Sequence, residues 1–351
     1  TGNVKHPGPY DYITAGRGHN LCLAVSRDGV TLDSKQCLMY NRDYPAGLSC
    51  HVRDPKVFAW QGQYYMVLGA RTLTDRGEVL VLQSADKLHW NHINTLTTPE
   101  PFGYMWECPD LFCLDGQWYL LVSPQGIPCQ NVYGCGYFAL EGDWRTKDCT
   151  LGQFYPLDSG FDFYAPQTFA DEPHSRRILL GWMGMPDAPY GNQATVNCGW
   201  QHCMTLPRVL TRRSDGRLLQ QPAPELLALR QKNTVLSPGQ AHLLSSTRFA
   251  LQAPVSGSFV LHIAQGAELH YTQPDRRCVL RFTDPALSGG RTQREVLLDD
   301  ACRSLDVWGD ASSLEIFLNQ GEAVFSTRYY PGAGPLAIRL DGAAASVYEL
   351  E

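Results

Sequence analysis

Pro55-Lys-Val-Phe58-Ala-Trp-Gln-Gly62-Gln63-Tyr-Tyr65 returns, 54 residues on and without a gap, as Pro109-Asp-Leu-Phe112-Cys-Leu-Asp-Gly116-Gln117-Trp-Tyr119. A third copy opens at Pro166-Gln-Thr-Phe169 and reaches Ile178-Leu-Leu-Gly181 with one extra residue. Each copy reads as a short apolar strand, a polar turn (Gln61-Gly62, Asp115-Gly116, Glu172-Pro173) and a second strand rich in aromatic and β-branched residues. That is the pattern of an antiparallel hairpin. Further strand-like runs, such as Val79 to Gln83, complete each unit, and Ser84-Ala-Asp86-Lys-Leu-His-Trp90 echoes Ser26-Arg-Asp28-Gly-Val-Thr-Leu32. Four strands per unit, at a period of roughly 55 residues, predict the blades of a β-propeller.

Working outward, the residues before Pro55 hold only the later strands of one more blade. An open ring leaves sheet edges and apolar faces uncovered, so the expectation is a fragment of a longer propeller. After the third copy, Asp215-Gly216 makes a turn and Pro222-Ala-Pro224-Glu-Leu-Leu-Ala-Leu-Arg230 reads as a linker with a short helix. From about residue 237 the pattern is again all strand, as in Leu314-Glu-Ile316-Phe-Leu318 and Ala323-Val-Phe325-Ser-Thr327 around Asn319-Gln-Gly321-Glu. This suits a β-sandwich. The predicted organisation is all-β: a partial propeller over 1–221, a linker over 222–236 and a sandwich over 237–351.

Composition closes off other classes. In 351 residues, 44% are apolar and only 18% charged, which excludes disorder and coiled coil. The balance of 29 basic against 35 acidic residues, with no Lys/Arg cluster that could track a phosphate backbone, argues against nucleic acid as a partner. The apolar runs fall far short of the roughly 18 residues of a membrane helix, so no membrane partner is expected. Twelve cysteines include several inside apolar runs, as Cys22 between Leu21 and Leu23, which suits buried thiols in a reducing, cytoplasmic compartment.

The two residues before each repeat proline occupy equivalent positions: Arg53-Asp54, Glu107-Cys108 and Tyr164-Ala165. If they begin the innermost strand of each blade, they converge on one end of the channel, where propellers place ligands. Glu107, between Trp106 and Cys108 with Met105 and Pro109 beyond, has an apolar sequence setting that raises a carboxyl pKa and describes a general acid. Asp54 follows Arg53, whose cation keeps a carboxylate ionised, and two carboxyls tuned apart are what glycosidic cleavage needs. The same residues also read as a plain turn at Asp54-Pro55 and a rim carboxylate at Glu107. Spacing alone does not choose between these.

Arg53-Asp54-Pro55, Trp106-Glu107-Cys108-Pro109-Asp110, Asp162-Phe-Tyr164-Ala-Pro166-Gln-Thr-Phe169 and Gly181-Trp182-Met183 occur in order, followed by Gly199-Trp200, Leu206-Pro207-Arg208 and Leu314 to Val324. As an ordered set covering nearly the whole chain, they resemble glycoside hydrolase family 32. The resemblance implies a five-bladed propeller followed by a β-sandwich, and retaining hydrolysis of β-fructofuranosides such as sucrose, sucrose 6-phosphate or fructan, with no metal or cofactor. It further implies Glu107 as general acid/base and Asp54 as the carboxylate that holds fructosyl hydroxyls and stabilises an oxocarbenium-like transition state. Arg53 would position the sugar and Cys108 stands in the acid/base motif. Asp162 and Tyr164 stand in the third motif, and Trp106 and Trp182 would wall the pocket. The family's nucleophile is an Asp in an Asn-Asp-Pro-Asn-Gly stretch, and this sequence contains none. The expectation is therefore that the first blade and the opening strand of the second are absent and that this polypeptide alone is inactive.

Other features read as structure. Cys198-Gly-Trp-Gln-His202-Cys203 matches no zinc spacing. The repeated Gln63-Tyr-Tyr65 and Gln117-Trp-Tyr119 aromatics fit blade packing, Glu315 is expected to face solvent, and the sandwich to buttress the propeller. Two competing functions are a lectin, which has no use for a buried acid, and an arabinanase-like inverting glycosidase, whose carboxyls stand about 6.5–9.5 Å apart.

Overall fold

The computed structural model describes residues 2–169, 172–332 and 334–351; Asp171, in the expected third turn, lies outside them. The chain is all-β, with 52% of its residues in strands. It divides into two units, the first comprising residues 1–129 and 133–155 and the second 130–132 and 156–351.

In the first unit, Gly2–Lys5, Arg17–Val25 and Ser34–Met39 form a three-stranded antiparallel sheet. Two four-stranded meanders follow: Leu48–Trp60, Gln63–Thr72, Gly77–Ser84 and Asn91–Leu96, then Met105–Leu114, Gln117–Gln125, Gly136–Glu141 and Thr150–Pro156. These are the expected blades, and the repeat governs them closely. Gln61-Gly62 and Asp115-Gly116 each place two successive residues at positive φ (50° and 77°, then 48° and 77°). Two left-handed residues in a two-residue loop twist with the strands, which is why Asp-Gly and similar pairs close such hairpins. Facing meanders share a core of Val67, Val79, Val81, Trp106, Leu120, Val122 and Phe138. Two glycines allow that approach: a Cβ on Gly69 would stand 2.0 Å from the Trp106 carbonyl oxygen, and one on Gly77 would stand 2.2 Å from the Trp106 ring.

In the second unit, Tyr164–Thr168, Arg177–Met183, Arg208–Arg212 and Leu218–Pro222 form a further meander, with Cys203–Met204 beside its second strand. A short 3-10 helix over Pro224–Leu229 follows, where the sequence placed a short helix. The second half of the expected linker is a strand: Arg230–Leu236 pairs with Ala345–Leu350, so sandwich pairing begins at Arg230. Arg230-Gln-Lys-Asn is too polar to show the alternation by which a strand is recognised, because an edge strand keeps one face in water. Two six-stranded antiparallel sheets then stack their apolar faces. Leu251, Val307, Ile316, Phe325 and Val347 of one sheet meet Leu261, Leu269, Leu280 and Ile338 of the other.

Glu315 corrects a sequence expectation. It is 3% exposed, and its two oxygens accept from Leu206 N (2.7 Å) and from Arg208 Nε and Nη2 (3.2 and 2.7 Å). Arg208, wholly buried, also donates to Asp158 Oδ2 at 3.2 Å and to Gln220 Oε1 at 3.0 Å. Burial pushes the carboxyls of Glu315 and Asp158 up, and the Arg208 guanidinium opposes that shift. Alternation read Glu315 as outward, and it is outward from the sandwich core; that outer face is covered by the preceding meander, which period-2 patterning cannot foresee. Beyond it, Gly321 (φ 87°) has no room for a Cβ, which would stand 1.7 Å from the Gln220 carbonyl oxygen.

Candidate active site

At the same point of all three copies the first strand carries an extra residue. The register slips between Arg53 and Lys56, between Glu107 and Asp110, and between Tyr164 and Gln167. The residue before each proline, Asp54, Cys108 or Ala165, has positive φ (61°, 49° and 48°). Non-glycine residues there cost about 1–3 kcal/mol apiece, and bulges of this kind re-aim side chains near functional sites.

Within the first unit the bulges bring Arg53-Asp54 against Glu107-Cys108. Arg53 donates through Nε (3.0 Å) and through Nη2 to Glu107 Oε1, while Gln125 Nε2 donates to Glu107 Oε2 at 2.9 Å. Asp54 Oδ2 accepts from the Cys108 backbone N–H at 3.1 Å and lies 3.7 Å from its Sγ. Two residues further on, Lys56 Nζ stands 3.4 Å from Asp110 Oδ2. The carboxyl heads remain reachable, with side-chain exposures of 29% for Asp54 and 15% for Glu107.

These contacts revise the sequence reading of Glu107. Its neighbours Met105, Trp106, Cys108 and Pro109 are apolar, yet the carboxyl sits among a guanidinium and an amide. Successive strand residues face opposite ways, so neighbours in sequence do not surround one another's heads. Trp106, expected as a pocket wall, is fully buried, stacked on Phe138 at 5.5 Å and donating Nε1–H to the Phe102 carbonyl at 2.6 Å. Burial, then the charges of Asp54 and Glu107, push the Cys108 thiol well up, so it stays protonated.

Three supporting side chains escaped the sequence reading or were set aside by it. Gln125 had no motif to mark it. His51 lay outside the motifs; it is 9% exposed and lies 2.5 Å from Arg53 Nη1 through Nδ1 and 3.1 Å from the Tyr12 carbonyl through Nε2. Burial first, then the cations Arg53 and Arg17, hold its pKa down at about 4. His19 stacks obliquely on it at 5.5 Å, with Nδ1 2.5 Å from the Cys50 carbonyl.

The remaining expected site residues lie in the second unit. Tyr164 is buried and pairs across the strand with the half-buried Trp182, whose ring meets His202 edge-on at 4.7 Å. Asp162 is 1% exposed, and both of its oxygens are held by Arg291 (2.6 and 2.7 Å), with Arg328 N donating at 2.8 Å. Its carboxylate is thus committed to a buried ion pair. The second unit also contains a cavity of about 690 Å³ lined in part by Pro222, Gln252, Asp306, Trp308 and Tyr348. Asp306 is its one lining carboxylate, so it lacks the pair that glycoside cleavage uses. Among the described residues, no cluster of three His, Cys, Asp or Glu side chains is arranged to hold a metal ion. No helix among them is long and apolar enough to cross a membrane.

Comparison with known proteins bears on this arrangement. The profile described as "Glycosyl hydrolases family 32 N-terminal domain" matches residues 1–222, and "Glycosyl hydrolases family 32 C terminal" matches residues 243–349. The sucrose-6-phosphate hydrolase of Bacillus subtilis is 36% identical over 95% of this chain and 71% of its own length. That of Staphylococcus xylosus is 34% identical over 87% of this chain and 65% of its own length. Among solved structures, a Bombyx mori GH32 beta-fructofuranosidase superposes with a TM-score of 0.84 at 27% identity, over 99% of this chain and 75% of that one. A sucrose-6-phosphate hydrolase from Lactobacillus gasseri shares the fold, with a TM-score of 0.85 at 22% identity over 98% of this chain and 77% of that one.

Proposed function

The chain belongs to glycoside hydrolase family 32, and from that premise we propose that it carries the acid/base of a retaining hydrolysis of terminal β-D-fructofuranosides such as sucrose or sucrose 6-phosphate. The observation that carries this reading is the clasp on Glu107, with Arg53 on one oxygen and Gln125 on the other, beside the carboxylate of Asp54.

Oε1 is held by two guanidinium N–H groups and Oε2 by the Gln125 amide; a protonated Oε2 keeps that bond as acceptor while its own O–H is delivered to the leaving glycosidic oxygen. The same carboxylate then takes a proton from water in the second step. Asp54, with Oδ2 tied to the Cys108 amide, is suited to holding sugar hydroxyls rather than to displacement. Its negative charge stabilises the positive charge that develops on the fructosyl ring. Retention also needs an attacking carboxylate about 5–5.5 Å from the acid. Buried thiols such as Cys278 and Cys302 support a cytoplasmic location.

The test compares fructose release from sucrose and sucrose 6-phosphate by the 351-residue chain alone and by the chain joined to the segments of the Bacillus subtilis relative that lie outside the match. Turnover in the joined protein, abolished by Glu107→Gln, is expected. A joined protein that folds and turns over neither sugar, or one indifferent to Glu107→Gln, overturns the reading.

A further inference from the structure

Arg53 holds one oxygen of Glu107 through two N–H groups, so what fixes Arg53 bears on the orientation of the acid. Its guanidinium plane has three attachment points. Nε and Nη2 go to Glu107 Oε1, and Nη1 goes to His51 Nδ1 at 2.5 Å. His51 and Arg53 are two apart on one strand and therefore share a face.

The chemistry of the imidazole settles its proton. A guanidinium only donates, and Arg53 Nη1 stands 2.5 Å from Nδ1 whereas Arg17 Nη1 stands 3.4 Å from Nε2, so the closer contact assigns Nδ1 as the acceptor. A neutral imidazole then carries its single N–H on Nε2, and the Tyr12 carbonyl accepts it at 3.1 Å. We propose that His51 is a positioning residue for the acid/base: it accepts from Arg53 at Nδ1, is itself locked by donation to Tyr12, and so sets the guanidinium that orients Glu107. The role rests on the reading of Glu107 as the acid; the hydrogen-bond chain does not.

The residue type fits this task better than its alternatives. A carboxylate at position 51 would compete with Glu107 for the guanidinium and add a third negative charge beside Asp54. An imidazolium would repel Arg53 and could not accept from it. The charged and titratable groups facing the ring are Arg53 and His19, with Arg17 Nη1 3.4 Å from Nε2; Asp54 and Glu107 lie beyond Arg53. Two cations on one ring, in a buried site, favour the neutral acceptor. Arg53 is only 16% exposed, so an Nη1 group without this acceptor would be poorly solvated.

The test needs no turnover. In the 351-residue chain labelled with 15N-histidine, long-range 1H–15N spectra at pH 7 are expected to show His51 with a proton on Nε2 and a bare Nδ1. The signal is assigned by its loss in His51→Asn. A protonated Nδ1 overturns the proposal on the wild-type chain alone. Hydrogen exchange at Arg53 Nε is expected to quicken about fivefold in His51→Phe, roughly the weight of one hydrogen bond, and to return toward wild type in His51→Asn, whose Oδ1 can replace Nδ1 as acceptor. Unchanged exchange in a folded His51→Phe chain, or no rescue by asparagine, overturns it equally. Because these readouts report hydrogen bonds alone, a Glu107 variant that leaves hydrolysis intact would sink the proposed function without touching them.

Discussion

Arg53 grips Glu107 across 54 residues of sequence, the period of the repeat, and two further contacts obey the same spacing: Asp54 with the Cys108 amide and Lys56 with Asp110. Equivalent positions on neighbouring blades are thus neighbours in space, and the repeat builds the site by placing different residues at the same bulge. One blade supplies the cation and one carboxylate, and the next supplies the acid.

Replacing Glu107 by Gln keeps an acceptor for Arg53 but turns the position facing the Gln125 amide into a donor, and it removes the transferable proton. In the joined protein described above, kcat on sucrose is expected to fall by about 10²–10⁴, the usual worth of general acid catalysis. Hydrolysis of an aryl fructofuranoside, whose leaving group needs little protonation, should fall far less. Equal losses on both substrates would assign Glu107 a role other than the acid.

The 351-residue chain alone is expected to release fructose from sucrose at the background rate, since Asp54 is tied to the Cys108 amide and the Asn-Asp-Pro-Asn-Gly stretch of the family nucleophile is not in its sequence. Glu107-dependent turnover by this chain would show that one of its own carboxylates attacks, with Asp54 and Asp110 the first to replace.

Cys108 sits beside two carboxyls, yet it should resist alkylation. Burial and the charges of Asp54 and Glu107 keep its thiol protonated, and the thiolate is the reactive form. Iodoacetamide at pH 7.5, read by peptide mass, is expected to label the exposed Cys129 and Cys198 and to spare Cys108. Early labelling of Cys108 would contradict the environment described here.

Glu315→Gln leaves Arg208 buried with a weakened partner. Removing one member of a buried pair costs about 3–5 kcal/mol, whereas replacing both by apolar residues of similar volume can be neutral. Urea unfolding should therefore show a large loss for Glu315→Gln and a smaller one for Glu315→Leu combined with Arg208→Met. A single substitution without effect would mean that Asp158 alone suffices for Arg208.

Acid should destabilise the fold in a defined window. His51, held at about 4 in the folded chain, takes up a proton more readily when unfolded, as does His19, which burial also shifts down. For His51 stability then falls as pH drops from about 6.5 toward about 4, with no further change from this group below that, and His19 adds to the fall in the same direction. The melting temperature should follow this course, and its slope should be shallower in His51→Asn. An unchanged slope would place the sensitivity elsewhere.

The sequence by itself determined the strand repeat, the hairpin turns and the equivalence of Arg53-Asp54 with Glu107-Cys108, because periodicity and turn chemistry are local properties of a chain. It also singled out Glu107 and Asp54, the two carboxyls that flank Arg53. Only the tertiary structure decided what surrounds each head. Trp106 became core, Glu107 met a guanidinium and an amide, Asp162 and Glu315 were closed into buried pairs with Arg291 and Arg208, and His51 became a partner of Arg53. Apart from His51, two residues from Arg53 on one strand, those partners lie on other strands or loops, and the alternation of a single strand says which face a side chain takes but not what waits there.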